Sequence, residues 1–345
     1  MMIEEKDLLG FFKACIEGKV ESYSEIMVPV SQDEFPDRFV FSRFNPESVC
    51  VLDRYRTVDP LKILFYMPRE TVLPVAPDPP MRVVAGAKAC DLKAMQVLDA
   101  ALTGGDFVDP LYKIWRERTV VIGADCTDAA DTCHCTLVGG MPHAESGYDV
   151  NLSRIDDRFV LDAGSAKGEA FLNVLQSHAK VQPESESDRK RVRDNRRKMT
   201  ERVQSRNREL DRSDQYARLR EDQDKNWPAA SETCIGCGAC TNICPTCYCL
   251  ILNDETKAQQ FVKVRGYDSC QWHGYARVAG GASPRPRMFE RFRNRYLCKF
   301  LFMKSNFNLL GCTGCGRCTE ACAGNIDFRK VVKRITDGVE MGVVD

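Results

Sequence analysis

The sequence predicts two structured parts, an α/β N-terminal domain and a C-terminal α+β domain organised around cysteines, joined by a charged helical segment. Three observations carry that expectation. Strand-like and helix-like stretches alternate over residues 1–182, which is the pattern of an α/β layer fold. Residues 183–226 are rich in charge and poor in apolar anchors. Residues 227–345 contain two four-cysteine runs of the same spacing. A chain of 345 residues suits two or three domains, and 43% hydrophobic content is enough for a packed core.

In the first part, Leu8–Glu17 reads as a short helix. Arg82-Val83-Val84-Ala85-Gly86 is a strand candidate that runs into the helical pattern Asp91–Leu102. Thr119-Val120-Val121-Ile122-Gly123 is a second strand, ending at Ala124-Asp125-Cys126. Arg158-Phe159-Val160-Leu161 is a third, followed by a helix around Lys167–Ala179. The window 75–84, with Pro77, Pro79 and Pro80, reads as a surface turn.

The middle part is built from good helix formers, Arg, Lys, Glu and Gln, and reads as a long exposed helix or a pair of helices. Its basic clusters, Arg189-Lys190-Arg191 and Arg196-Arg197-Lys198, raise a nucleic-acid reading. Interspersed acidic residues and a net charge of zero favour a solvated face instead.

The cysteine runs are Cys234-x2-Cys237-x2-Cys240-x3-Cys244-Pro245 and Cys312-x2-Cys315-x2-Cys318-x3-Cys322. Each has the spacing by which bacterial ferredoxins hold 4Fe–4S clusters, so the C-terminal domain reads as a ferredoxin-like dicluster domain. In such modules the fourth cysteine of each run reaches across to the other cluster. One cluster is therefore expected on Cys234, Cys237, Cys240 and Cys322, and another on Cys312, Cys315, Cys318 and Cys244. Gly236, Gly238, Gly314 and Gly316 fit loops that wrap tightly around such a group. Zinc sites usually separate their Cys-x2-Cys pairs by a longer spacer, which argues against zinc here. Ala323 stands where the first run has Pro245. About 67 residues separate the runs. That insert carries a basic stretch, Arg285 to Arg295, read either as a docking or charge-compensating surface or as plain solvated surface.

A third constellation lies in the N-terminal part. Cys90 follows a predicted strand, Cys126 ends the next one, and Cys133 and Cys135 flank His134 in a loop. Adjacent strand ends in an α/β fold converge at one edge, where ligands collect. Four thiols there match the number that a third 4Fe–4S cluster needs. The competing reading is a set of buried, inert cysteines. His134 is expected as a solvated loop residue, with ligation as the alternative. Cys247, Cys249 and Cys270 exceed the eight cysteines of the two runs; they either line the cluster pocket or hold a further centre. Cys15, Cys50 and Cys298 are expected to pack.

Eighteen cysteines deployed in metal-type runs point to a reducing, anaerobic cytoplasm. The first ten residues show no basic region followed by an apolar one, so no secretory signal is expected. No apolar run reaches the roughly 18 residues of a transmembrane helix. Neither G-x-G-x-x-G after a strand nor a P-loop is present. The chain is thus expected to pass single electrons rather than take hydride, which would require a flavin.

The segment Cys234-Ile-Gly-Cys-Gly-Ala-Cys-Thr-Asn-Ile-Cys-Pro-Thr-Cys-Tyr-Cys249 resembles one family's signature, as do Tyr267-Asp-Ser-Cys270, Arg291-Phe-Arg-Asn-Arg-Tyr296 and Gly311-Cys-Thr-Gly-Cys-Gly-Arg-Cys318. Ala89-Cys90-Asp91-Leu92-Lys93-Ala94, Asp109-Pro110-Leu-Tyr112 and Cys133-His-Cys135 followed by Gly139-Gly140 agree with it. These pieces are similar to the iron–sulfur β subunits of cytosolic sulfhydrogenases and the A subunit of anaerobic sulfite reductase. Cys298 stands where that pattern usually has histidine. The resemblance implies an electron-transfer subunit, not catalytic alone, between an FAD- and NAD(P)-binding flavoprotein and a catalytic redox subunit of hydrogenase or sulfite/sulfur-reductase type. Two other readings stay open. In one, the N-terminal cysteine site reduces a sulfur or disulfide substrate directly. In the other, the chain is an iron–sulfur sensor or scaffold.

Overall fold

A computed structural model describes residues 1–74, 77–221 and 225–338. The strands are β1 (Met2–Glu4), β2 (Glu25–Gln32), β3 (Phe35–Arg43), β4 (Arg69–Leu73), β5 (Arg82–Ala87), β6 (Thr119–Ala124), β7 (Val150–Ile155), β8 (Arg158–Ala163), β9 (Val181–Gln182), β10 (Leu250–Lys257) and β11 (Gln260–Tyr267). Among the described residues, eight of them form one sheet in the order β3-β2-β5-β6-β7-β8-β1-β9. The inner strands β2, β5, β6 and β7 run parallel. The pairs β2–β3, β7–β8, β8–β1 and β1–β9 are antiparallel.

β5 and β6 are buried along their whole length, as expected of parallel strands covered on both faces. Their alternate residues feed two cores. Val83, Ala85, Val120 and Ile122 pack with Phe11, Phe12, Phe171 and Leu175, which come from the helices α1 (Glu5–Ile16) and α4 (Ala166–His178). Val84, Ala87 and Val121 pack with Leu92, Met95 and Leu98 of α2 (Ala89–Leu102), and with Tyr112 of α3 (Pro110–Glu117). Asp109 caps α3, its carboxylate accepting from the Tyr112 amide at 2.9 Å.

The helix α5 (Glu186–Asn207) occupies the charged segment and starts with a reciprocal Ser185–Asp188 capping box. The expected exposed helix differs in one respect. Val192, Met199, Val203 and Asn207 form a buried stripe on it, and Met199 and Val203 pack with Ala129 and Cys135. Its arginines are paired within the chain: Arg189 with Asp162 and Glu184, Arg191 with Asp156, Arg196 with Asp125. These ion pairs account for much of the basic face.

β10 and β11 form a hairpin from the insert between the cysteine runs, and β4 joins β11 as the third strand. Buried Arg265 of β11 pairs with Glu70 and Asp109, so this small sheet is tied to the N-terminal layers. The turn read over 75–84 falls in part on Val75 and Ala76, outside the described residues, and its last three residues belong to β5. Residues 222–224 and 339–345 of the expected linker and C-terminal ranges also lie outside the described residues. Among the described residues no helix is long and apolar enough to cross a membrane.

Candidate iron–sulfur site

Each cysteine run folds as a loop leading into one short helical turn, Ala239–Asn242 in the first and Arg317–Glu320 in the second. The residues before these turns are Gly238 and Gly316, both left-handed, at φ +79° and +74°. Glycine takes that conformation without steric cost. At Gly314 and Gly316 the chain also needs the missing side chain for space. A Cβ on Gly314 would stand 2.4 Å from the Cys135 Cα, and one on Gly316 would stand 2.3 Å from the Thr132 carbonyl oxygen. The second ferredoxin-type loop is therefore pressed directly against the Cys133–Cys135 loop, and the His134 amide donates to the Gly314 carbonyl at 2.8 Å.

The structure gathers the expected thiols in groups. Cys234, Cys237, Cys240 and Cys322 line one small cavity, with Cys318 in its wall beside Arg295. Cys312 faces Cys318, Cys315 and Cys244. The fourth cysteine of each run thus lies with the first three of the other. Burial pushes the Cys240, Cys312 and Cys318 thiols up, Cys318 to about 11, so loading these three with metal must release protons. Cys244 goes the other way: the Cys247 thiol hydrogen-bonds to it and the Lys299 ammonium lies near. Among the described residues no three Cys, His, Asp or Glu side chains converge on a single-ion position. A cube of four irons and four sulfides is larger than one ion and takes its ligands from farther apart.

The third constellation also closes. Cys90 begins α2 immediately beyond β5, and Cys126 follows the end of β6. They meet Cys133 and Cys135 around a small cavity whose wall includes Arg56, Gly314 and Cys315. This is the carboxyl end of the parallel strands, where α/β sheets present ligand sites. Burial pushes Cys135 up to about 12, and neighbouring Cys133 adds to it. Lys88 is fully buried here, donating to the Leu52 carbonyl, with Cys126, Asp53, Asp125 and Cys90 in its field.

One expectation fails at this site. His134 is not a solvated loop residue but is only 3% exposed. The loop's contact with the second ferredoxin-type run covers it. Its Nδ1 lies 2.9 Å from the Thr132 carbonyl and its Nε2 lies 3.8 Å from the Cys312 Sγ. The side chain therefore fills the space between the third group and the second run.

Several residues that the sequence reading passed over hold these groups together. Arg317 is 1% exposed and makes a two-pronged ion pair with equally buried Asp91, at 2.9 and 2.8 Å. That pair joins Cys318's neighbour to Cys90's neighbour. The Arg317 Nε also donates to the Thr57 carbonyl at 2.9 Å. Arg56 donates to the Cys315 carbonyl at 2.6 Å and pairs with Glu320. The segment around residues 52–59 is thus a clamp on the second loop. Its sequence signal, isolated arginines in a loop, is too common to stand out.

The basic stretch Arg285–Arg295 divides. Arg291 is buried and donates to the carbonyls of Gln271, Arg285 and Pro286 at 3.0, 3.0 and 2.7 Å, so it organises the insert rather than presenting a surface. Arg295, equally buried, has Cys240 and Cys318 in its field and sits between the two ferredoxin-type sets.

Comparison with known proteins first defines the class. Residues 233–326 match the 4Fe-4S dicluster domain family, so this is an iron–sulfur protein with two such clusters in its C-terminal part. The chain is also 30% identical over 313 residues to the sulfhydrogenase 2 subunit beta of Pyrococcus furiosus, covering 87% of this chain and 89% of that one. It belongs to the sulfhydrogenase β-subunit family, and its role is iron–sulfur electron transfer as an oxidoreductase subunit. No solved structure matches it.

Proposed function

We propose that the chain relays single electrons between a flavoprotein partner linked to NAD(P)H and a catalytic partner of hydrogenase or sulfite/sulfur-reductase type, in the cytoplasm. The ferredoxin-type sets are assigned as Cys234, Cys237, Cys240, Cys322 and as Cys312, Cys315, Cys318, Cys244. A third 4Fe–4S group is assigned to Cys90, Cys126, Cys133 and Cys135. The division into residues 1–182, 183–226 and 227–345 belongs to the same proposal. Clusters held at these positions supply one-electron transfer at potentials set by burial and hydrogen bonding.

The observation that carries the reading is the shared walls. Cys315 lies in the wall of the N-terminal cavity, and Cys318, three residues on, lies in the wall of the first ferredoxin-type cavity. The second run therefore touches both neighbours, and the three groups form a continuous series. The chain's own residues do the rest. Arg56, Lys88 and Arg295 place buried positive charge beside the thiols, Gly314 and Gly316 permit close approach, and Met199 and Val203 shield the third group. Iron and sulfide analysis of anaerobically purified Cys133→Ala protein tests the third assignment. A loss of about four irons per chain supports it, and unchanged iron makes these cysteines structural.

One observation favours the second reading, direct reduction of a sulfur or disulfide substrate. Cys90 and Cys135 also line a surface pocket with Lys93, Gln96 and Glu145. Polysulfide reduction by the flavin-free chain, supplied with an artificial one-electron donor and abolished in Cys135→Ser, would select that reading over a pure relay.

A further inference from the structure

The cysteines left over by the three groups are not scattered. Cys247 and Cys249 form a Cys-x-Cys pair at the start of the hairpin, Cys270 follows β11, and Cys298 opens a π-helical turn, Cys298–Phe302. Three elements separated in sequence bring them to one place. Cys298 has Cys270 and Cys249 in its field, and Cys249 has Cys270. The Lys299 ammonium lies within reach of Cys247, Cys298 and Cys249. The backbone fixes the convergence, since the Asp268 amide donates to the Cys249 carbonyl at 3.0 Å and holds the Cys270 segment against the Cys-x-Cys pair. π turns inside helices are rare and are common at functional sites.

A second observation is independent of the thiols. Lys62 and Lys299 are 1% and 2% exposed. The Lys62 Nζ donates to the carbonyls of Cys247 and Asn242, at 2.9 and 3.3 Å. The Lys299 Nζ donates to the Thr246 Oγ1 at 2.6 Å. Among the described residues neither pairs with a carboxylate. Two ammonium groups buried without a carboxylate are costly unless something anionic sits beside them. The N-terminal group has the same plan: a Cys-x-Cys pair, two single cysteines from other elements, and a buried lysine, Lys88, beside them.

We propose that Cys247, Cys249, Cys270 and Cys298 form a fourth iron–sulfur site, of the 4Fe–4S type, whose negative charge is balanced by Lys62 and Lys299. The site abuts both ferredoxin-type sets, through the Cys247–Cys244 hydrogen bond and through Cys270, which faces Cys240. This rests on the iron–sulfur reading of the chain but not on the third group.

The test is iron analysis, with Mössbauer spectroscopy to assign cluster type, on the full chain, purified anaerobically, in three variants. Cys249→Ala and Cys298→Ala are each expected to lose about four irons per chain, while Cys298→His, which keeps a ligand at that position, retains them. Wild-type iron in both alanine variants overturns the proposal. A measurement that does not depend on how those variants fold uses Cys133→Ala, which removes any contribution from the third group. About twelve irons per chain are then expected, eight from the ferredoxin-type sets and four from the new site. About eight overturns the fourth site and leaves the dicluster reading intact, whereas fewer than eight overturns the dicluster ligand assignment itself.

Discussion

The ferredoxin-type loops and the N-terminal cysteine group hold four thiols each in opposite ways. Each loop carries its cysteines within one short run, on backbone shaped by left-handed glycines and little regular structure. The N-terminal group collects its cysteines from the ends of β5 and β6 and one loop, on a sheet whose strands are buried regardless of any ligand. The difference teaches where order comes from. A loop site has few apolar contacts of its own and depends on its metal for folding. A strand-end site is positioned by the core beneath it and is expected to survive metal loss.

Metal removal breaks this comparison most severely. Stripping iron with a chelator under oxidising conditions should unprotect amides over residues 231–249 and 311–326 while β5 and β6 stay protected, as hydrogen exchange would read. Equal loss of protection in the sheet would mean that the two regions are not different in kind. Next in size is the joint between them. Arg317→Ala leaves Asp91 buried without its partner, at an expected cost of about 3–5 kcal/mol by denaturant unfolding. Gly314→Ala, at φ +69° and against the Cys135 backbone, is expected to cost about 1–3 kcal/mol from conformation alone. It should also lower iron in the second run and the third group together; a fall in only one would separate the two sites. Asn207→Ala is the mildest case. Its side chain donates to the Cys133 and Val203 carbonyls at 2.9 Å each, so a loss of about 1 kcal/mol is expected.

The same contrast explains what the sequence made legible. The 4Fe–4S dicluster domain could be read from spacing, because each run of closely spaced cysteines carries its own pattern. β5, β6, β8, α1, α2 and α4 were readable from apolar patterning, and they sufficed to suggest that Cys90 and Cys126 end near one another. β2 and β3 were not read, since Pro29 and Pro36 interrupt their pattern, and β7 hides Asn151 and Ser153 in the core, bonded to Asp125. In α5 the spacing of Val192, Met199 and Val203 was present but masked by arginines. The burial of His134 and the pairing of Arg317 with Asp91 depend on how two distant segments meet, which no local pattern records.

The relay itself is tested most directly by following the visible and EPR signals of the flavin-free chain under anaerobic conditions. With NADPH alone the oxidised spectrum should persist, because the sequence carries no dinucleotide or flavin signature. Adding the flavoprotein partner should bleach it and bring up the signals of reduced 4Fe–4S centres, in numbers matching those produced by dithionite. Reduction by NADPH without the flavoprotein, or no reduction when it is present, would contradict the account.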